Sequence, residues 1–347
     1  PAVDLRFLRP HVEGVMEAIK TRIVELLGRL FEEVKRLVIR DAAETPSPLP
    51  LRIGAAAIAI IVIYFGVGMA WYSTITDDIE FQPGANYAFE GGSKAVATAA
   101  ALVAREADHW APNKPWLHPA AGLDNMPNYQ LGILYASSRF AIELGDGLGR
   151  TRGSSAIDPD LDRAAGLLKY DGTIWYWGSS NFVPTATADS QYLQGVEALS
   201  NFNRRLASGD ATYDRRADNL IAFLDRVSSD LGSASAALDE RALQSNAGYF
   251  DFLADDVFYN IKGRLYGYAL ILRDVGSDFG LVIAEKQASA IWEQMMASLR
   301  TAAEMDPLIV ANGKQDGLFV PSHLSAQGFY LLRARTQLKE VADALTK

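Results

Sequence analysis

The 347-residue chain contains no cysteine. Disulfides, thiolate metal sites and cysteine nucleophiles are excluded, so a domain on either side of a membrane has to rely on its apolar core. Histidine is scarce as well. Of the 4 present, His109, His118 and His323 lie in the C-terminal three quarters of the chain, and none shows metal-ligand spacing such as H-E-x-x-H. No G-x-S-x-G elbow occurs, and the sequence places no base beside Ser179. "GDGLGRTRG" is glycine-rich but follows a helical pattern, not a strand, and reads as a connection rather than a phosphate cradle. The chain has no internal repeat and no long low-complexity tract, and nothing in it calls for a cofactor.

Basic charge is also short where nucleic acid would need it. Residues 1–52 hold 9 basic and 8 acidic side chains, and the remainder holds 24 and 34. Phosphate binding needs clustered Lys and Arg, so a nucleic-acid partner is excluded for the acidic body.

The most telling absence is local. "IGAAAIAIIVIYFGVGMAWY", Ile53 to Tyr72, carries no charged side chain. Roughly 20 helical residues reach about 30 Å, the thickness of a bilayer's hydrocarbon core. Ile53, Ile58, Ile60, Ile61, Val62, Ile63, Phe65 and Val67 together favour insertion by about 2 to 5 kcal/mol. The run is apolar on all sides and longer than the h-region of a signal peptide, although Gly68-Met69-Ala70 loosely resembles a cleavage site. Arg52 sits at one end, able to snorkel to headgroups, while Trp71 and Tyr72 sit at the other as interfacial anchors.

Lys35, Arg36, Arg40 and Arg52 precede the run, Asp77, Asp78 and Glu80 follow it, and the next basic residue is Lys94. The positive-inside rule then predicts a cytoplasmic N-terminus and a C-terminal portion outside the inner membrane. The expected organisation is residues 1–50 as a cytoplasmic amphipathic helix and Pro-rich linker, 51–74 as a transmembrane helix and 75–347 as a periplasmic helical domain. Small pairs four apart, Ala55 with Ala59 and Gly66 with Ala70, offer a contact face within the span.

Upstream, Val12, Val15, Ile19, Ile23, Leu26, Leu30, Val34 and Leu37 recur at helical spacing opposite a Glu and Lys/Arg face. Such a stripe has to be buried. A coiled coil with further copies of the chain, through Ile19, Ile23, Leu26, Leu30, Val34 and Leu37, is the preferred reading. The membrane surface and a groove on another protein are the alternatives. Pro46, Pro48 and Pro50 end this helix and make a stiff linker.

The body beyond about Ile75 reads as mostly α: an all-α bundle with one or two irregular aromatic loops or a small hairpin. Ser93 caps a helix to about Trp110, and a Pro-rich loop, "APNKPWLHPAAGLDNMP", leads to a helix from about Asn128 to Leu144. Asp158-Pro159 opens another, ending near Tyr170. Further helices are expected at about 189–207, 212–231, 234–245, 249–274, 278–305 and from Ser322. "TIWYWGSSNFV" and "LIVANGKQDGLFV" look extended, the second as a hairpin turning at Asn312-Gly313 or Asp316-Gly317.

Two features carry candidate chemistry. Trp175, Tyr176, Trp177 and Phe182, beside Ser179, Ser180 and Asn181, suit a sugar or peptide, or else simply close the core. Asp251 and Asp255 lie one turn apart near Asp256, placed to hold a cation or exchange protons, or to pair with Arg241, Lys262 or Arg264. No catalytic residue and no metal ligand set is assigned.

"IWYWGSSNFVPTA" and "DDVFYNIKGRLYGYALIL" resemble motifs of an uncharacterised proteobacterial family, a domain of unknown function. The resemblance covers most of the chain from the span onward. It implies one N-terminal span and a helical domain outside the inner membrane, and it supplies no catalytic residues. The expectation is a membrane-anchored scaffolding or binding protein of the cell envelope, with the lipid bilayer and further copies or a larger membrane complex as partners. An envelope enzyme or glycan-binding module using the aromatic loop and the Asp pair is the alternative.

Overall fold

The computed structural model describes residues 25, 28–29, 32, 49–149, 157–176, 184–244, 251–314 and 320–347, the side chains of 49–52 excepted. Ile19, Ile23, Leu26, Leu30, Val34, Leu37, the Arg52 side chain and Trp177 therefore lie outside the described residues. The described members of the amphipathic segment, Glu25, Gly28, Arg29 and Glu32, are helical and exposed. Two compact units emerge. Unit 1 is Pro1–Thr74 with Trp116–Leu123, and unit 2 is Ile75–Pro115 with Asp124–Lys347.

In unit 1, helix α1 runs Leu49–Tyr72. It begins before Pro50, at the end of the expected linker. A proline in the first turn removes only an amide that had no helical partner. The Trp116–Leu123 segment contributes a 3₁₀ turn, Pro119–Gly122, packed against α1.

Unit 2 is all-α among the described residues. Its helices are α2 (Lys94–Asp108), α3 (Asn125–Glu143), α4 (Pro159–Leu168), α5 (Ala188–Ser208), α6 (Ala217–Leu243), α7 (Phe252–Asp278), α8 (Gly280–Glu285), α9 (Ser289–Ala303) and α10 (His323–Thr346). Caps behave as the sequence dictates. Ser93 accepts from the Val96 amide and Asp158 from the Asp160 amide ahead of Pro159. Gly209, at φ 84°, closes α5 in the left-handed conformation that glycine adopts without strain.

Helix α7 is the hub. Leu265 through Leu272 are all buried, the mark of a helix enclosed on every side. Its most extensive partner is α3. Gly132 of α3 and Gly263 and Gly267 of α7 let the backbones touch: a Cβ on Gly132 would collide with the Asn260 carbonyl, and one on Gly263 with the Tyr129 carbonyl. Helices α2, α4 and α5 pack together beyond this pair, and α6, α9 and α10 form a second group, with α2, α6, α9 and α10 also touching α7.

Two element boundaries differ from expectation. The predicted pair at 212–231 and 234–245 is one helix, α6. Gly232 does not break it, and the missing side chain makes room for the Arg335 guanidinium, 3.0 Å from where a Cβ would stand. The predicted 278–305 helix is split into α8 and α9 by Gln287, whose φ of 54° turns the chain without a glycine or proline to announce it. Of the predicted hairpin, the described residues show one antiparallel bridge, Asn312 with Ser322, and the turn at Asp316-Gly317 lies outside them.

Candidate functional site

Three regions carry the candidate residues. In unit 1, α1 presents apolar side chains outward: Ile58, Ile60 and Ile61 are more than half exposed, as is Trp71. The Ile53–Tyr72 stretch is long and apolar enough to cross a membrane. One side of its last turns is covered. Pro119 fills the space that a Cβ on Gly68 would need, Met69 lies against Gly122, and the Tyr72 ring meets the His118 ring edge-on with centroids 4.9 Å apart. His118 Nδ1 accepts from the Ala120 amide at 3.2 Å, which fixes the turn.

In unit 2, the extended segment beginning at Ile75 is stitched down by side chains from three helices. The Thr76 carbonyl accepts from Tyr129 Oη at 3.0 Å and from Arg105 Nη2 at 3.3 Å. The Asp78 carbonyl accepts from Tyr266 Oη at 2.9 Å, and the Ile79 carbonyl from Arg273 Nη1 at 2.8 Å. Lys262, fully buried, places its ammonium 2.9 Å from Asp77 Oδ2 and 3.2 Å from Asp306 Oδ1. Burial pushes the Tyr129 and Tyr266 hydroxyls above their ordinary range, so both remain protonated donors. The sequence offers Lys262 as a partner for Asp251 or Asp255, but the structure pairs it with Asp77 and Asp306 instead. A lysine inside the apolar run of α7 signals such a pairing, since a buried ammonium demands an acidic partner.

At the other end of α7, Asp251 and Asp255 do not converge. Asp251 is the N-cap: its carboxylate accepts from the Ala254 amide, receives Asn312 Nδ2 at 2.9 Å and forms an ion pair with Arg241. Burial works to raise its pKa, but the bonds from Asn312 and Arg241 prevail and lower it. Asp255 lies instead among carboxylates. Burial first, then Asp124 and Asp256, push it up to about 6 against the pull of the Asn125 amide. Asp256 is raised by burial and by Asp124, and accepts from Asn128 Nδ2 at 2.7 Å. Among the described residues no group of three His, Asp or Glu side chains is arranged to hold a metal ion.

The aromatic segment is tied to the start of α5. Trp175 is half-buried and Tyr176 exposed, their rings edge-to-face at 5.5 Å. The Tyr176 carbonyl accepts from the Thr185 amide at 2.9 Å and the Trp175 carbonyl from Thr185 Oγ1 at 3.3 Å. These bonds run to Thr185, and none runs to Asp251 or Asp255. An open groove of about 160 Å³ lies between α9 and α10, lined by Gln294, Ser298, Tyr330 and Arg333, and is well below the volume of an ordinary small-molecule site.

Together these features define, among the described residues, an all-α protein with one apolar helix long enough to cross a membrane and a polar-stitched helical body following it. The chain belongs to the DUF2333 family, described as an uncharacterized protein conserved in bacteria, whose model matches residues 52–248 and 251–347. The match takes in nearly all of α1 and unit 2, and leaves the amphipathic segment outside it. No curated protein and no solved structure matches the chain.

Proposed function

We propose that this is a single-pass protein of the bacterial inner membrane that anchors a scaffolding or binding domain in the envelope. In this reading α1 crosses the bilayer with the N-terminus cytoplasmic, and residues after it are periplasmic. The observation that carries it is the helix itself: an uncharged stretch in which Ile53, Ile58, Ile60 and Ile61 are more than half exposed. Left in water, that surface would cost far more than an isolated exposed leucine, and lipid is the solvent that suits it. The basic residues before α1 and the acidic ones after it support the orientation. The segment through Ile19, Ile23, Leu26, Leu30, Val34 and Leu37 assembles copies by burying its apolar stripe.

Deleting residues 10–40 tests the assembly role. The mass of the complex in mild detergent falls on deletion, and an unchanged mass rejects self-association through that helix.

A second reading, an envelope enzyme or glycan-binding module, is favoured by one observation: Asp255 is held at about 6, within reach of acid–base work. Asp251, committed to Arg241 and Asn312, is a poor second carboxylate for it. Binding of peptidoglycan fragments that is lost in both Tyr176→Ala and Asp255→Asn would support this reading over the scaffold.

A further inference from the structure

The Trp116–Leu123 segment interrupts unit 2 in sequence, yet it packs with α1. Its contacts fall on Gly68, Met69 and Tyr72, which form one side of the helix's C-terminal end. Gly68 stands within the apolar stretch, about 6 Å along the axis before Tyr72 at about 1.5 Å per residue. A group seated on Gly68 therefore shares its depth. Between Trp116 and Leu123 there is no Asp, Glu, Lys or Arg, and the one titratable side chain, His118, is turned to the Ala120 amide and the Tyr72 ring, whereas Lys114 and Asp124 flank the segment. The side chains it leaves uncovered are large and apolar: Trp116 is 81% exposed and Leu117 58%, beside Trp71 at 71%. Pro119 and the His118–Ala120 bond hold the turn in shape, so this presentation is built in rather than a stray exposed residue.

We infer that Trp116 and Leu117 form a second membrane-contacting element, a loop that enters the headgroup–acyl boundary of the outer leaflet of the bilayer that α1 crosses. The inference rests on the membrane reading of α1 and adds to it a lipid-facing surface remote from the span in sequence. Tryptophan suits that depth, with an apolar ring and an N–H that reaches water or headgroups. Continuity with the apolar surface of α1 identifies lipid, rather than another protein, as the occupant. With the loop inserted, the chain meets the bilayer at two places remote from each other in sequence.

The absence of cysteine makes the test direct, because each introduced thiol is unique. A nitroxide is placed at Ile61→Cys, Leu117→Cys or Asp239→Cys in the full chain, reconstituted in vesicles of phosphatidylethanolamine and phosphatidylglycerol. Relaxation by dissolved oxygen, which concentrates in lipid, is compared with relaxation by a water-soluble nickel chelate. The Leu117 probe should favour oxygen over nickel several-fold more than the Asp239 probe, falling between it and Ile61. A Leu117 ratio equal to that of Asp239 overturns the inference while an oxygen-rich Ile61 leaves the span intact. Shielding of Leu117 from both reagents also overturns it, because a protein then covers the loop. If Ile61 itself behaves like Asp239, the membrane reading fails and this inference with it. Trp116→Cys repeats the measurement should the Leu117 variant fold poorly.

Discussion

The Lys262 ammonium, fully buried in the centre of unit 2, lies 2.9 Å from the carboxylate of Asp77, just past the end of the apolar helix. This pair, with the bonds from Tyr129, Tyr266, Arg105 and Arg273 to successive carbonyls, fixes the first residues of the body to its central helix.

Lys262→Met keeps most of the unbranched apolar stem and removes the charge. It leaves Asp77 without its ammonium in a mostly buried place, and the predicted cost is about 3 kcal/mol. Asp306 is 60% exposed, so Asp306→Ala costs under about 1 kcal/mol. Urea unfolding followed by helical circular dichroism measures both. The double variant Asp77→Asn, Lys262→Met should lose less than the sum of the singles, because the two residues act on each other.

The α3–α7 crossing gives a sharper contrast. Gly263→Ala drives a methyl into the Tyr129 carbonyl and Gly132→Ala into that of Asn260, neither of which can swing away. Each should destabilise by about 3 kcal/mol. Gly166 sits inside α4 with open space where a Cβ would stand, so Gly166→Ala should stabilise by up to about 1 kcal/mol. Equal effects at the three sites, read as unfolding midpoints, would contradict the close backbone contact.

Asp255 supplies a pH dependence. Its carboxyl is raised from the ordinary 3.8 to about 6, chiefly by burial. Over that window the folded chain keeps a proton that the unfolded chain has released. The Asp255 contribution to stability is therefore intact below the unfolded value, declines as pH climbs to about 6 and is constant above it. Asp255→Asn should match the parent near pH 4. At neutral pH it should be more stable by about 1 kcal/mol, a figure already discounted for the partial exposure of the group. A variant that tracks the parent across the whole range would contradict the raised value.

What was legible in the sequence was local. Ser93 and Asp158-Pro159 announce their helices because a cap acts on amides two or three residues away. The apolar run of α1 declares itself by composition alone. What failed depended on distant partners. The 212–231 and 234–245 segments are one helix, and Arg335, from another helix, packs against Gly232 between them. Gln287 adopts a left-handed turn that its residue type does not advertise. Of the candidate carboxylates, spacing placed Asp251 and Asp255 on one face, yet Arg241 and Asn312 claim the first, and Asp124 and Asp256 surround the second. Trp116 and Leu117 sat unnoticed in a proline-rich loop, because Gly68, the residue that seats the loop, lies far upstream.

The central claim is that α1 threads the bilayer and sends the body outward. The most direct measurement fuses a reporter that is active only outside the cytoplasm to either end of the full chain. Activity from the C-terminal fusion with silence from the N-terminal one is the predicted result. A silent C-terminal fusion beside an active N-terminal one would contradict it.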